Sequence, residues 1–244
     1  MITSVRCFVG ALVALGCLVG AGGRGGAAEA AAEVPRFIRD LRAGESRHVV
    51  IYGTSLSRSG AWVPRLQAEL EAAFPGRVTL TNSARGGQHS GWGAANVERA
   101  VVALRPDAVL LEFAINDAVT RFDLSLETVR RNVDTMLDRI ATALPGCEVI
   151  VQVMNPAVGK APGDPSHRRD QDAYQQIYRD AARARGLRLI DHSVAWNRVL
   201  ATEGEAGFKK LVPDGVHPNA EGWNRIVLPR VRAELGMGRG SDYR

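Results

Sequence analysis

Five short apolar runs, separated by segments of helical period, constrain this chain more than any other feature. They are "HVVIY" (48–52), "RVTLTN" (77–82), "DAVLLEF" (107–113), "CEVIVQVM" (147–154) and "LRLID" (187–191). Short, β-branched and almost continuously apolar, they read as strands covered on both faces. Between them Val63, Leu66, Leu70 and Phe74 share one helical face, as do Val129, Val133, Met136, Ile140 and Leu144. Tyr174, Ile177, Ala181 and Ala184 form a third such face, with Gly186 as its stop. A last helix is expected from about Asn219 through Trp223, Ile226 and Val227, kinked by Pro229. Such alternation predicts a three-layer α/β/α fold with a mostly five-stranded parallel sheet and its ligand site at the carboxyl ends of the strands. A short polar linker precedes the first strand, and no internal repeat or interdomain linker follows, so one domain over 31–244 is expected.

The first thirty residues have a different character. Arg6, the apolar run "CFVGALVALGCLVGAG" and the ending Ala28-Glu29-Ala30 describe a secretory signal peptide, and the Gly-broken run is too short for a membrane span. The protein is therefore expected to be secreted or periplasmic, with no stable membrane insertion once residues 1–30 are cleaved. Cys17 is an alternative lipid-attachment site, although apolar residues continue after it. Of the three cysteines only Cys147 lies beyond the leader, which excludes an internal disulfide in the mature chain. The net charge of +5 falls to +4 when Arg6, Arg24 and Glu29 leave, and the arginines are scattered rather than clustered. That pattern suits solubility and argues against nucleic acid as a partner.

Polar clusters follow several of the expected strands directly: Gly53-Thr54-Ser55-Leu56, "SARGGQHSGWG" and Ala114-Ile115-Asn116-Asp117. A fourth, "PDGVHPNAEGW", sets Asp214 three residues before His217. Ser55 is either a turn-former and helix cap or a nucleophile awaiting a base. Asp214 and His217 are either caps of the final helix or a carboxylate that fixes an imidazole tautomer. No metal is expected: the five His are dispersed, no His-x-x-x-His occurs, and no Cys pair lies beyond the leader. No cofactor is expected either, because the glycines of "RGGQHSGWG" are followed by no Lys-Ser/Thr, and the first strand turn has no GxGxxG.

Taken in order, the four clusters resemble the blocks of the SGNH, or GDSL-type, hydrolase family, and the resemblance runs from His48 to the final helix. It implies a flavodoxin-like three-layer fold and a Ser-His-Asp triad of Ser55, His217 and Asp214 working through a covalent acyl-enzyme. It implies an oxyanion hole from the backbone N–H of Ser55 and of Gly87, with Gly86 the neighbouring alternative, and from the Asn116 side chain. Two positions depart from the family blocks: Thr54 stands for Asp, which bears on how the turn is braced, and Ala114 for Gly. His89, Trp92 and Arg168 are candidate substrate contacts, the first two in the loop after the second strand; Asn155 and His192 lie at strand ends. The expected activity is that of an exported serine esterase removing short acyl groups, acetyl above all, from a small-molecule or saccharide ester. Lysophospholipase or thioesterase action, acyl transfer to a sugar, and non-catalytic carbohydrate binding are the alternatives.

Overall fold

The computed structural model describes residues 34–238; the expected signal peptide and Cys17 lie outside them. The chain opens with α1 (Arg36–Arg42), β1 (Arg47–Gly53), the single turn α2 (Ser55–Arg58) and α3 (Trp62–Ala73). Then come β2 (Val78–Asn82), α4 (Ser90–Ala100), β3 (Ala108–Glu112), the turn α5 (Ala114–Asp117) and α6 (Leu126–Ala143). The final stretch holds β4 (Glu148–Val153), α7 (Gln171–Ala184), β5 (Arg188–Asp191), α8 (Ser193–Leu211), the turn α9 (Ala220–Gly222) and α10 (Leu228–Glu234).

All four strand pairings are parallel, and the order is β2-β1-β3-β4-β5. Side chains of successive strand residues alternate between faces, so β1, β3, β4 and β5 serve two cores, whereas the edge strand β2 is half-buried and turns only Val78 and Leu80 onto one of them, against the expectation of burial on both faces. Val49, Ile51, Leu110, Ile150 and Ile190 pack beneath α1, α3, α8 and α10. Val50, Tyr52, Val109, Leu111 and Val151 pack beneath α4, α6 and α7. Burying each large apolar side chain is worth roughly 1.5–3 kcal/mol, which is why the inner strands β1, β3 and β4 are nearly continuous in apolar character while the edge strand β2, VTLTN, alternates. Chain direction reverses across the sheet between β1 and β3, and the loops that leave these two strands open a crevice there.

Three further expectations are corrected. The supposed linker contains α1, whose Phe37, Ile38 and Leu41 are buried at helical spacing behind Pro35. The segment after β2 is not loop throughout: α4 starts at Ser90, so Trp92 lies in its first turn, and His89 is the cap whose Nδ1 accepts from the Gly91 N–H. At the end of the chain the irregularity expected of Pro229 is a π-turn over Trp223–Val227, after which the helix resumes with the proline in its first turn, where its missing N–H costs least. Among the described residues no helix is long and apolar enough to cross a membrane.

Candidate active site

β1 delivers its last residue, Gly53, against the side chain at the end of β3: a Cβ there would lie 2.3 Å from Glu112 Oε1, so only glycine fits. Thr54 then leaves the sheet in extended conformation and caps α2, its Oγ1 accepting from the Leu56 N–H. This sharp strand-to-helix turn holds Ser55, half-buried, at the first helical position. Beneath it lies the fully buried carboxylate of Glu112. It accepts from the Thr54 N–H (2.7 Å), the Thr54 hydroxyl (3.0 and 3.1 Å) and the Ser57 hydroxyl (2.8 Å). Burial pushes Glu112 up to about 7, these donors work against that rise, and Asp117 adds to it. Where the family block has an Asp inside the turn, this chain supplies the carboxylate from the neighbouring strand.

The base reaches Ser55 from the far end of the chain. The Asp214 Oδ1 accepts from the N–H groups of Val216 (2.9 Å) and His217 (2.7 Å), and its Oδ2 lies 2.6 Å from His217 Nδ1. Burial raises the Asp214 pKa, and the bonds from His217 and Val216 outweigh it, holding the carboxylate below its usual range. An ionised Asp214 requires the proton on Nδ1, which leaves Nε2 as the acceptor; that nitrogen is 2.8 Å from Ser55 Oγ. The turn is tight because Gly215, at φ +78°, passes where a Cβ would meet the Val158 carbonyl at 2.1 Å. Asn155 secures it from the loop that leaves β4, donating to the Val216 carbonyl at 2.8 Å. Asn219, not Asp214, caps the final helix.

The opposite wall is the loop between β2 and α4. Hydrogen bonds from Ser83 N–H to the Ile51 carbonyl and from Arg85 N–H to the Gly53 carbonyl extend the sheet ladder up to the site. Gly86 then runs past Ser55, and Gly87 turns away at φ +71°. Among the described residues neither the Ser55 nor the Gly87 N–H has an acceptor. Asn116, in α5, donates one amide hydrogen to the Gln88 carbonyl at 2.8 Å, tying that loop to β3 and leaving its second hydrogen unused. Ala114 sits in helical backbone, so the Cβ that replaces the family glycine meets no conformational penalty. The loop's far end is fixed by buried Asp117, which accepts from the Ser90 N–H (2.7 Å) and the Tyr178 hydroxyl (2.6 Å).

The other candidates divide. Arg168 reaches the site, but its guanidinium donates to the carbonyls of Ile115 (2.8 Å) and Ser166 (3.2 Å) and approaches Asn116 Oδ1 at 3.4 Å. Burial and neighbouring Arg121 pull its pKa down to about 10. His89 packs on Phe122 with ring centroids 4.6 Å apart, and Trp92 leans on Tyr52 at 5.8 Å. His192 is wholly buried, as is Asn155, so neither meets substrate. Sequence reasoning passed over Glu112, although a charged residue ending the apolar run "DAVLLEF" was its visible signal. Among the described residues no group of His, Cys, Asp or Glu is arranged to hold a metal.

A parallel α/β/α sandwich of this strand order, carrying these blocks at the carboxyl edge, defines an SGNH-type carboxylic ester hydrolase. Within that class the chain belongs to the GDSL-like lipase/acylhydrolase family, whose pattern it matches over residues 45–224. Solved structures share the fold. LAE5, an alpha/beta hydrolase enzyme from the metagenome of Lake Arreo, Spain, is similar at a TM-score of 0.67 and 24% identity, over 80% of this chain and 97% of its own. Axe2, an acetylxylan esterase from Geobacillus stearothermophilus, is similar at 0.66 and 21%, over 79% and 95%. A GDSL-like lipase from Parabacteroides merdae reaches 0.68 at 14% identity, over 79% and 97%. No curated protein matches the chain.

Proposed function

We propose that the protein is an exported serine esterase in which Ser55, His217 and Asp214 remove short acyl groups, acetyl first among them, from carbohydrate. The observation that carries the proposal is the continuous chain from Ser55 Oγ through both His217 nitrogens to Asp214, 2.8 Å and then 2.6 Å. Ser55 Oγ bonds to the ester carbonyl carbon while its proton passes to His217 Nε2; Asp214 stabilises the imidazolium without taking the proton. The tetrahedral oxygen is met by the N–H groups of Ser55 and Gly87 and the spare amide hydrogen of Asn116. Collapse breaks the carbon–oxygen bond to the alcohol, which leaves with the proton from His217. Water, activated by the same imidazole, then frees the acid and restores Ser55.

Two considerations support a saccharide ester. The side chains of His217 and Asp214 are 46% and 57% exposed, an open arrangement that admits a polymer and encloses no long acyl chain. Axe2, which shares the fold, is an acetylxylan esterase. Export rests on the sequence pattern of residues 1–30.

Hydrolysis of p-nitrophenyl esters from acetyl to long acyl, by the protein from Ala31 and by its Ser55→Ala and His217→Ala variants, tests the proposal. Turnover that falls steeply beyond short chains and disappears in both variants is expected. Undiminished turnover in Ser55→Ala, or a preference for long chains, overturns it.

A further inference from the structure

Beside the nucleophile, on the β2 side, a cleft of about 570 Å³ is lined by Arg58, Asn82, Arg85, Trp92, Arg99 and Leu104 among others. It is built from the segments that form the active site. Arg58 closes the helical turn that Ser55 opens, and Arg85 immediately precedes Gly86, which lies against Ser55. Asn82 ties the two together by donating to the Ser57 carbonyl at 2.9 Å. Because β2 flanks β1 on the side away from β3 and β4, the cleft lies opposite the Asp214-His217 turn, which is anchored to the loop that leaves β4.

The cleft's charge is uncompensated. Among the described residues no acidic one lines it. Several arginines elsewhere do sit on carboxylates: Arg47 on Asp40 and Glu45, Arg179 on Asp191, Arg185 on Asp134 and Asp138, Arg232 on Glu69. Arg58 and Arg85 have no acceptor among the described residues, and Arg99 holds only Asn96, at 2.7 Å. Three arginines lining one cleft without a lining carboxylate suit carboxylate or phosphate, which guanidinium groups bind bidentately. Trp92, half-buried in α4, adds an aromatic surface of the kind on which sugar rings stack.

Resting on the esterase proposal above, we infer that this cleft receives an anionic sugar next to the acylated one, so that the natural substrate is an acylated saccharide bearing carboxylate or phosphate groups. The neutral acyl-bearing unit lies over Ser55 while the neighbouring negative charge lies among Arg58, Arg85 and Arg99.

The test is the ratio of kcat/KM for acetylated anionic to acetylated neutral oligosaccharide of equal length, at low and high salt, in wild type and in Arg58→Gln/Arg99→Gln. One anionic series carries uronic acids and another carries phosphodiesters, which separates the two sources of charge. A ratio of about 10 or more at low salt is expected in at least one series, falling toward 1 in the double variant and on adding salt. A wild-type ratio near 1, or one that the double variant leaves unchanged, overturns the inference while the esterase assignment stands. Calorimetric binding of the unacetylated oligosaccharides to Ser55→Ala decides the matter independently of turnover. Preferential, salt-sensitive binding of the charged one, lost in Ser55→Ala/Arg58→Gln/Arg99→Gln, supports the cleft even if no ester is cleaved, and equal binding of both refutes it.

Discussion

The carboxylate of Glu112 lies directly under the peptide that precedes the nucleophile, its Oε1 2.7 Å from the Thr54 N–H. Glu112 ends β3 and Thr54 follows β1, so one side chain joins the two central strands at the point where the chain leaves the sheet to form the Ser55 turn. Thr54→Asp would set a second carboxylate against the first in a fully buried site, and like charges without counter-ions are costly there. The expected loss is about 3 kcal/mol of stability, relieved in Thr54→Asp/Glu112→Gln. Chemical denaturation of the two single variants and the double variant checks it, and additive losses would count against a direct interaction between positions 54 and 112.

Glu112 also gives the protein a pH signature. Burial raises it to about 7 from 4.5, and burial raises Asp117 to about 6 from 3.8. Between the ordinary and raised values the native state holds protons that the unfolded chain has released. Stability from these two groups is therefore full at low pH and is lost as pH rises through the window up to about 7. His192 works in the opposite sense: burial lowers it to about 3 from 6.5, so its contribution is lost as pH falls through that range. Subtracting variants isolates one group. Glu112→Gln keeps an acceptor for Thr54 and Ser57, so its Tm relative to wild type should rise between pH 4.5 and 8 by about 10 °C, equivalent to about 3 kcal/mol. A difference that is flat across this range would show that Glu112 does not titrate as stated.

The catalytic roles proposed for Ser55, His217 and Asp214 separate by size of effect. Ser55→Ala and His217→Ala each should lower kcat by about 10⁴-fold or more, and the double variant no further, because the two act as one unit. Asp214→Asn keeps the shape but cannot hold the Nδ1 proton in place, and about 10³- to 10⁴-fold is expected. Steady-state kinetics on p-nitrophenyl acetate measures all four, and a multiplicative double variant would mean that Ser55 and His217 act separately.

How far the sequence disclosed this arrangement can be followed through particular residues. Strand positions emerged to within a residue or so, since apolar runs this short and this rich in β-branched residues are too brief for helices; "DAVLLEF" at 107–113 became β3, Ala108–Glu112. α1 did not emerge, because three apolar residues among seven fall short of a periodic signal and its burial is set by tertiary packing. α4 was hidden by glycines, which lower helix propensity; Gly93 is there because a Cβ would meet Met136 Sδ at 2.6 Å. At the site, residues with a block of their own were legible. Glu112 and Tyr178 were not, nor was the bracing part that Asn155 plays in place of a substrate contact, because they work through partners 58, 61 and 61 positions away, which no local spacing reveals.

Arg168 offers the last test, because its place beside the site does not by itself say whether it touches substrate. Its guanidinium is committed to the carbonyl of Ile115 and approaches Asn116 Oδ1, and among the described residues no carboxylate is bound to it. Held there, it orients the Asn116 amide, whose one hydrogen is spent on Gln88 and whose other is proposed to meet the oxyanion. The charge also strengthens that amide as a donor by drawing density toward Oδ1. Asn116→Ala should then cost about 10²- to 10³-fold in kcat, and Arg168→Ala a smaller loss of about 10- to 100-fold, again in kcat rather than KM. In the Asn116→Ala background the Arg168 substitution should have almost no further effect, because the group it positions is gone. A full Arg168 effect without Asn116, or one confined to KM, would make Arg168 a substrate contact in its own right.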